Sequence, residues 1–275
     1  MPITAWNCPG CHGTDLPLDH FATSRCGITH VHPSFAASVL RHDRAHSRGK
    51  SRAVGLTQGL NCPRALGITT FENVSVDPLE YNMMTGGTAW HAEMESGAMW
   101  GMNQHPHMMG DRRVEVWARG IIDEVPVNSR VDDLSRPLLH IGDWKTKDDS
   151  AIKYLGEPDP DVVCQISLEA ELVRQTEGWM PTTGTAWYKM HAKGHRAVQI
   201  ERLWTVEECL EHQPANGAIY TVRDLLHAAS EIRGGEVSWA DVHLYGETMS
   251  YGGHDKCAYC AVSGICKTKE RGAAF

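Results

Sequence analysis

The stretch that decides the fold is LLHIGDWKT, at residues 138–146. Apolar and polar residues alternate along it, and this pattern predicts a β-strand. Successive side chains of a strand point to opposite faces, so Asp143 and Lys145 share one face while Gly142 and Trp144 point to the other. The sequence therefore predicts a carboxylate and an ammonium group side by side in one small volume.

A second strand is predicted before this one. Residues 113–127 alternate and are rich in β-branched residues, whereas residues 128–137 are polar and typical of a turn. Asp123 follows Gly120-Ile121-Ile122 in the predicted strand. If the two strands pair, Asp123 converges with Asp143 at one end of the sheet. Two carboxylates held close repel each other unless a cation lies between them.

The rest of the chain shows helical and strand patterns in turn. Helices are predicted at 33–42, 77–101, 161–177, 205–212 and 217–232, and further strands at 183–190 and 196–204. This order predicts an α/β fold with a central mixed sheet flanked by helices. We predict two parts: residues 1–54 form a small Cys/His metal-binding module with a basic helix, and residues 55–275 form the α/β domain with a C-terminal cysteine loop.

Composition excludes several classes of protein. Of the 275 residues, 41% are hydrophobic and 22% are charged, which supports a packed core and excludes wholesale disorder. The 26 Lys and Arg against 34 Asp and Glu give a formal charge of −8, which excludes a uniformly basic nucleic-acid binder. No run reaches the ~20 apolar residues that span a membrane, and the first residues do not resemble a signal peptide. We expect a soluble cytoplasmic protein with no membrane partner.

A histidine and another carboxylate precede the two strands. The helix predicted at 77–101 carries His91, with Glu95 one turn later on the same face. Imidazole and carboxylate ligands suit Mn²⁺ or Mg²⁺, and a nearby ammonium group could activate water or neutralise phosphate charge. Each feature alone also has an ordinary explanation: an Asp-x-Lys pair usually marks a solvated strand edge, and a lone helical His is usually a surface residue. For Glu95 we favour a plain surface carboxylate or one that supports a ligand residue without binding the ion.

Four motifs occur in an order that resembles a known family. They are Gly87-x-x-x-His91, Gly120-x-x-Asp123, Asp143-Trp144-Lys145-Thr146 and, on the following helix, Gln165. This order resembles the PD-(D/E)XK nuclease superfamily, and within it the RecB-like and Cas4-like exonuclease branch. The resemblance implies that residues 55–275 are a nuclease domain.

The resemblance also implies a role for each motif residue. The implied Mg²⁺ or Mn²⁺ ligands are His91, Asp123, Asp143 and the backbone carbonyl of Trp144. Lys145 would position or activate the attacking water, and Gln165 would orient a neighbouring group or contact DNA. In the family, Tyr often stands four residues after this Gln. Here that position is Glu169, so the DNA-contacting role of the helix stays open.

Three cysteines near the C-terminus have the spacing Cys257-x₂-Cys260-x₅-Cys266. A tetrahedral metal site or a cubane iron–sulfur cluster needs four ligands, so one more must come from elsewhere in the chain. Cys62, upstream of the nuclease motifs, could be the fourth ligand. Cas4-like and AddB-like nucleases are similar, because one early and three late cysteines bind a [4Fe–4S] cluster that joins the ends of their nuclease domain. The resemblance implies the same structural cluster here, although the spacing alone suits Zn²⁺ nearly as well.

A second group of metal-binding residue types lies at the N-terminus. Cys8-Pro9-Gly10-Cys11 is typical of a metal-binding turn, and Cys26 offers a third thiolate. A fourth ligand could be His20, His30 or His32, and the common spacing Cys26-x₃-His30 favours His30. We predict a structural Zn²⁺ bound by Cys8, Cys11, Cys26 and His30. The alternative is a disordered tail with incidental cysteines.

Because the net charge is negative, any DNA contact needs a local basic strip. The densest one comprises Arg41, Arg44, Arg48, Lys50 and Arg52. The ordinary explanation for such a run is a solvated helix surface.

Together these features predict a metal-dependent DNA exonuclease, of prokaryotic or phage origin, that hydrolyses phosphodiester bonds at single-stranded DNA ends. An alternative is a nuclease-derived protein that binds DNA ends with little or no turnover, as an accessory to recombination or CRISPR-adaptation proteins. A weaker alternative is a redox sensor whose cluster regulates DNA affinity. Polarity of digestion and the preference for DNA over RNA do not follow from motif spacing.

Overall fold

The computed structural model describes residues 3–46, 53–60, 62–71, 74–76, 78–147, 156, 158–190, 194–214, 220–242, 250–251 and 254–255. The strands are β1 Ile3–Trp6, β2 Val54–Gly55, β3 Val74–Val76, β4 Arg112–Ile122, β5 Val125–Ser135, β6 His140–Lys147, β7 Thr183–Met190, β8 Gly194–Ile200, β9 Ser250–Tyr251 and β10 His254–Asp255. The helices are α1 His20–Thr23, α2 Cys26–Thr29, α3 Pro33–His46, α4 Leu56–Gly59, α5 Pro63–Phe71, α6 Pro78–Gln104, α7 Pro106–Met109, α8 Pro160–Glu177, α9 Val206–Glu211 and α10 Val222–Gly234.

Six strands form a mixed sheet organised around β5. This strand pairs antiparallel with β4 along its length, parallel with the short β2, and antiparallel with β6 through its last three residues. β6 pairs parallel with β7, and β7 antiparallel with β8. A parallel pair needs a crossover connection, and α8 lies in the one between β6 and β7. The predicted α/β fold with a central mixed sheet flanked by helices is confirmed.

The prediction for residues 128–137 is wrong, and the error matters for the site. Most of this segment belongs to β5, and the turn lies earlier, at Asp123 and Glu124, whose φ angles are +48° and +68°. Two successive positive φ angles match a tight hairpin turn that follows the twist of its strands. The apolar residues Val127 and Val131 alternate correctly and are buried. Three of its polar residues, Ser129, Arg130 and Asp132, contact Glu169, Glu115 and His91 respectively.

Helix α8 is the buried centre of the domain. Residues 162–173 are all buried between the sheet and the surrounding helices. The last turn covers the outer edge of β4: Thr176 Oγ1 accepts a hydrogen bond from Arg119 N, and Gln175 Oε1 accepts one from Ile121 N, each 2.8 Å long. Covering the edge in this way satisfies strand N–H groups that would otherwise be free to pair with another chain. The same hydrogen bonds fix the position of α8 along β4.

The longest described helix is α6, with 27 residues. It matches the helix predicted at 77–101 and continues to Gln104. The helix packs on β6 and β4 and so brings His91 to the sheet. No described helix is long and apolar enough to cross a membrane.

The N-terminal segment forms a second, smaller core. β1 pairs parallel with β3, and Trp6 and Phe21 are almost fully buried beside it. This core continues into the body of the protein through Ile68 of α5, Ile232 of α10 and Trp239. The N-terminal segment is therefore packed against the α/β part of the chain.

Candidate metal centre

Ionisable side chains converge where α6, α8 and the strands β4, β5 and β6 meet. Their carboxylates are all buried, at 5% exposure or less. Burial of an ionised carboxylate is costly unless it is paired or binds a metal ion, so this concentration requires compensation. The ionisable residues, in chain order, are His91, Glu115, Asp132, Asp143, Lys145 and Glu169, and the neutral amide of Gln165 lies among them.

His91 is held with one ring nitrogen toward the backbone and the other toward the carboxylates. Its Nε2–H donates a 2.9 Å hydrogen bond to the Trp144 carbonyl oxygen. Its Nδ1 lies 3.2 Å from Asp132 Oδ1 and 3.4 Å from Glu115 Oε1. Burial alone would lower the pKa of His91, but the hydrogen bonds and charges of Asp132 and Glu115 outweigh it and raise the pKa to about 10. A histidine that ligates a metal typically anchors its other ring N–H in this way.

Glu115 and Asp132 face each other across a break in the β4–β5 ladder. Neighbouring residues pair in register on both sides of the break, and only the pairing between these two is missing. The φ of Glu115 is +54°, a conformation rare outside glycine and costly to hold. Like charges directly opposite each other in a sheet are destabilising. Strained backbone and opposed carboxylates at one point are characteristic of a functional site rather than of a stabilising core.

Asp143 and Lys145 lie on one face of β6, as predicted. Lys145 Nζ is 2.8 Å from Asp143 Oδ2 and donates a 2.8 Å hydrogen bond to Gln165 Oε1. Gln165 Nε2 in turn donates to Asp143 Oδ1 at 3.3 Å. Burial would lower the pKa of Lys145, but the adjacent Asp143 charge outweighs it and raises the pKa. These three side chains therefore form a closed triangle that keeps Lys145 protonated.

Glu169 extends the cluster from α8. Its Oε1 accepts hydrogen bonds from Ser129 Oγ at 2.8 Å and from Gln165 Nε2 at 3.1 Å. Its Oε2 is buried and has no hydrogen-bond partner within the described part of the chain. Burial, together with the charges of Asp143 and Asp132, raises the pKa of Glu169 to about 8. Glu169 is therefore a buried carboxyl that retains its proton at neutral pH.

The donor set fits a divalent cation. Across the described residues, His91, Glu115 and Asp132 each offer one ligand atom, and the three atoms lie within 4.8 Å of one another. Burial and repulsion from Asp143, only partly offset by His91, raise the pKa of Asp132 to about 7. Protons at His91 and Asp132 thus compensate the surplus of negative charge, and a divalent cation would replace them. Carboxylate oxygens with one imidazole suit Mn²⁺ and Mg²⁺ better than they suit softer ions.

The structure does not bring Asp123 to this centre. Asp123 lies in the β4–β5 turn, where its carboxylate contacts His227 Nε2 at 2.9 Å and Arg223 Nη1 at 2.5 Å. The hydrogen bond from His227 has the largest effect on the pKa of Asp123. Together with the bond from Arg223 it outweighs burial and lowers that pKa. The hairpin extends seven residues from Val125 to Asp132, about 23 Å at the rise of a strand. The expected convergence with Asp143 is therefore wrong, because the turn places Asp123 at the far end of the strand pair.

Asp132 occupies the place that the sequence analysis gave to Asp123. Its neighbour Asp133 pairs with Gly142, so Asp132 adjoins Asp143 on the next strand. Asp132 Oδ2 accepts a 2.6 Å hydrogen bond from Trp144 N. A signal was present in the sequence, because Val125, Val127 and Val131 keep strand alternation through the polar segment. Glu115 had no comparable signal, since a break in the ladder is a property of the folded sheet.

Trp144 and Glu95 both contact the ligand residues of the centre, directly or through one side chain. The Trp144 carbonyl accepts the His91 hydrogen bond and so orients that ring. Glu95 pairs with Arg130 at 3.0 Å, and Arg130 also pairs with Glu115. Glu95 thus helps to hold the arginine that balances Glu115, which is the supporting role that was one of its two expected roles.

A second cluster of ligand atoms lies at the N-terminus. Cys8, Cys11, Cys26 and His20 offer atoms within 4.8 Å of one another. Burial opposes the Cys8 thiolate, but backbone N–H groups of Cys11 and Gly10 bond to it and lower its pKa to about 6. We call these four residues the N-terminal Cys₃His cluster. The three predicted cysteines come together, but the predicted fourth ligand, His30, is not among them.

Other predicted site residues lie partly or wholly outside the described residues. Cys62 precedes α5 and packs against Leu225. Its predicted partners Cys257, Cys260 and Cys266 lie outside the described residues. Of the basic strip, Arg41 is an exposed residue of α3 and Arg44 lies on the same helix, whereas Arg48, Lys50 and Arg52 lie outside the described residues.

Comparisons with known proteins give limited similarity. No protein-family model and no curated protein sequence matches the chain. One solved structure, described as "Crystal structure of SSO0001", aligns with a TM-score of 0.49 and 14% sequence identity, over 85% of this chain and 94% of that chain. The function proposed below therefore depends on the geometry of the candidate metal centre and on the order of the sequence motifs.

Proposed function

We propose that the protein is a divalent-metal-dependent deoxyribonuclease that hydrolyses phosphodiester bonds at single-stranded DNA ends. The observation that carries the proposal is the meeting of His91, Glu115 and Asp132 beside the Asp143–Lys145 pair. A metal-binding group next to a fixed ammonium group is suited to phosphate chemistry, because both stabilise negative charge. The motif order that resembles the PD-(D/E)XK superfamily supports the same reaction class.

In this proposal His91 Nδ1, Glu115 and Asp132 hold Mg²⁺ or Mn²⁺, and Asp143 borders the ion from the next strand. Such an ion, when bound, polarises a phosphoryl oxygen and makes a water molecule more acidic. The Trp144 carbonyl fixes the His91 ring so that Nδ1 faces the carboxylates. Arg130 and Glu95 hold Glu115 from the other side.

Lys145 acts as a fixed cation in this mechanism. Its ammonium group contacts Asp143 and Gln165, and its raised pKa keeps it protonated. The side chain is 24% exposed, and in this proposal a substrate phosphate approaches it from the exposed side. Lys145 therefore neutralises the charge that develops on the scissile phosphate and does not remove a proton from water. Gln165 keeps Lys145 and Asp143 in place.

Aromatic and basic side chains beside the centre offer a path for a DNA strand. Trp90 precedes His91 on α6, and Lys189 Nζ lies 4.3 Å from the centre of the Trp90 ring. Glu93 pairs with Lys189 at 2.9 Å and holds it there. Aromatic rings with adjacent cations are typical of surfaces that bind single-stranded nucleic acid. We propose that this pair contacts the strand next to the scissile phosphate.

A [4Fe–4S] cluster completes the proposal, on the strength of the cysteine spacing and its resemblance to Cas4-like and AddB-like nucleases. Its ligands would be Cys62, Cys257, Cys260 and Cys266. Anaerobically purified protein should contain about four iron and four sulfide ions per chain and absorb visible light. A Cys260→Ser variant should lose this iron, and zinc in its place would replace the cluster assignment with a zinc site.

The proposed activity is tested by a cleavage assay on end-labelled single-stranded and double-stranded DNA. Anaerobically purified protein is incubated with Mn²⁺, with Mg²⁺ or with EDTA. The Asp143→Ala variant tests the centre, and Asp241→Ala, which removes an exposed carboxylate outside the centre, is the matched control. We expect cleavage that EDTA and Asp143→Ala abolish and that Asp241→Ala retains, and the position of the label gives the polarity.

Two results would contradict a nuclease. Tight binding of DNA ends without product in either metal favours an accessory protein that recruits ends to recombination or CRISPR-adaptation proteins. Neither binding nor cleavage by protein with intact iron absorption would remove DNA as the substrate. Cleavage that persists in Asp143→Ala would place the active site elsewhere.

A further inference from the structure

The N-terminal Cys₃His cluster is built from three very short elements. The turn at Cys8 and Cys11 follows β1, His20 begins α1 and Cys26 begins α2, and each of these elements has only four residues. Elements this short are not stable by their own hydrogen bonds. A cross-link that joins all three would explain how the segment keeps its shape.

We propose that Cys8, Cys11, His20 and Cys26 bind one structural Zn²⁺. All four ligand atoms lie within 4.8 Å of one another. With Zn–S and Zn–N bonds of about 2.3 and 2.0 Å, tetrahedral ligand atoms lie about 3.6 Å apart. The observed distance from Cys11 Sγ to His20 Nε2 is 3.8 Å. Cys11 Sγ and His20 Nε2 are therefore already close to the separation of two ligands of one tetrahedral ion.

The surrounding backbone supports this arrangement. Cys8 N donates to Gly13 O at 2.8 Å and His12 N donates to Cys8 O at 2.9 Å, which closes a tight turn around the first two thiols. The φ of His12 is +58°, which the turn requires. Ser24 links the other two ligands, because its Oγ accepts a hydrogen bond from Cys26 N at 3.3 Å and lies 3.4 Å from His20 Nε2.

The geometry selects His20 over the two other candidate histidines. The His30 ring packs against Gly10, where a Cβ atom would lie 1.8 Å from the ring, and His30 does not belong to the group whose ligand atoms lie within 4.8 Å of one another. His32 Nδ1 accepts a 3.2 Å hydrogen bond from Ser34 N at the start of α3. Each of these two histidines thus has another contact.

The ligand chemistry favours zinc. Three thiolates and one imidazole form a closed tetrahedral set, which is typical of structural Zn²⁺ and too soft for Mg²⁺. The set is distinct from the carboxylate centre at His91. Bound Zn²⁺ would hold the second core around Trp6 and Phe21, which packs on Ile68, Ile232 and Trp239.

Metal analysis of the full-length protein tests the site. We expect one zinc ion per chain in the wild type and one fewer in Cys11→Ser, with iron content equal in both. Removal of His20 should speed zinc release to a chelator at least about 10-fold, whereas His30→Ala should release zinc at the wild-type rate. In Co²⁺-substituted protein, His20→Ala should change the visible absorption of the tetrahedral ion and His30→Ala should not.

A ligand-preserving variant distinguishes a metal ligand from a residue needed only for folding. His20→Cys offers a fourth thiolate, so it should retain zinc even if His20→Ala does not fold. Wild-type protein without zinc at this site, or with iron there, would overturn the proposal. Loss of zinc in His30→Ala with retention in His20→Ala would overturn the assignment of the fourth ligand.

Discussion

Replacement of Asp132 with Asn should abolish DNA cleavage, whereas the same replacement at Asp123 should leave cleavage nearly unchanged. The sequence motifs favour Asp123 as a metal ligand, and the structure favours Asp132, so the pair separates the two accounts. Asn is nearly the same size as Asp. At position 132 it can still accept the hydrogen bond from Trp144 N, so the change mainly removes a charge.

The size of the effect follows from the contacts of Asp132. Its carboxylate is one of two that lie within 3.4 Å of His91 Nδ1, and no third anion belongs to that three-residue group. Changes in residues that merely support a metal ligand cost about 10- to 100-fold in activity. Loss of a ligand should cost at least about 100-fold in kcat/KM, which corresponds to ~2.7 kcal/mol of transition-state stabilisation. Asp123→Asn removes partly exposed ion pairs and should change kcat/KM by less than about two-fold.

The assay is the release of fluorescence from a single-stranded DNA labelled with a fluorophore and a quencher, in Mn²⁺, at several substrate concentrations. Circular dichroism of both variants establishes that they are folded. Full activity in Asp132→Asn, together with a large loss in Asp123→Asn, would refute the reasoning and restore the ligand set expected from the motifs.

Three further predictions concern the charges of the candidate centre. Lys145→Gln should lower kcat about 100-fold or more while Mn²⁺ binding, measured by calorimetry, is retained or tighter, because a cation next to the ligands is removed; weaker Mn²⁺ binding would contradict this. Glu169→Gln should raise the melting temperature of metal-free protein at pH 8 and not at pH 5. The raised pKa of Glu169 makes its ionisation costly in the folded state, and Gln cannot ionise. An equal shift of the melting temperature at both pH values would contradict this prediction. Metal-free wild-type protein should lose stability as pH rises from about 5 to 10. The folded state retains protons on Asp132, Glu169 and His91, whose pKa values are raised, whereas the unfolded chain releases these protons at lower pH. Mg²⁺ should therefore raise the melting temperature more at pH 8.5 than at pH 6, and a larger rise at pH 6 would contradict the proposed ligands.

Local sequence patterns predicted the four longest described helices and four of the six strands of the main sheet. The strand at 183–190 was predicted with both ends correct, and α8 was predicted to within one residue at its start. Both have strong periodicity, because one is a pleated strand of the sheet and the other buries residues 162–173. The Asp143–Lys145 pair was also predictable, since strand alternation alone puts two such residues on one face.

The rest of the centre could not be predicted from local patterns. The β4–β5 turn uses Asp123 and Glu124 in place of the usual glycine or asparagine, so its composition did not indicate a turn. Strand β5, the second half of the hairpin, carries polar residues that contact the centre. Because polar runs are typical of turns, the sequence predicts a turn at this place. The partner of Glu115 depends on the register of two strands, and the choice of His20 over His30 depends on how α1 packs beside the Cys8 turn. Both depend on tertiary structure, which local sequence patterns do not contain.

The proposed activity depends most on a cation at the point where His91, Glu115 and Asp132 meet. The most direct test is an anomalous difference map from a crystal of the protein soaked in Mn²⁺. We predict a peak bonded to His91 Nδ1 and to carboxylate oxygens of Glu115 and Asp132, and no peak at this position in a crystal of Asp132→Asn. A map without a peak there, or with Mn²⁺ bound at Asp123, would contradict it.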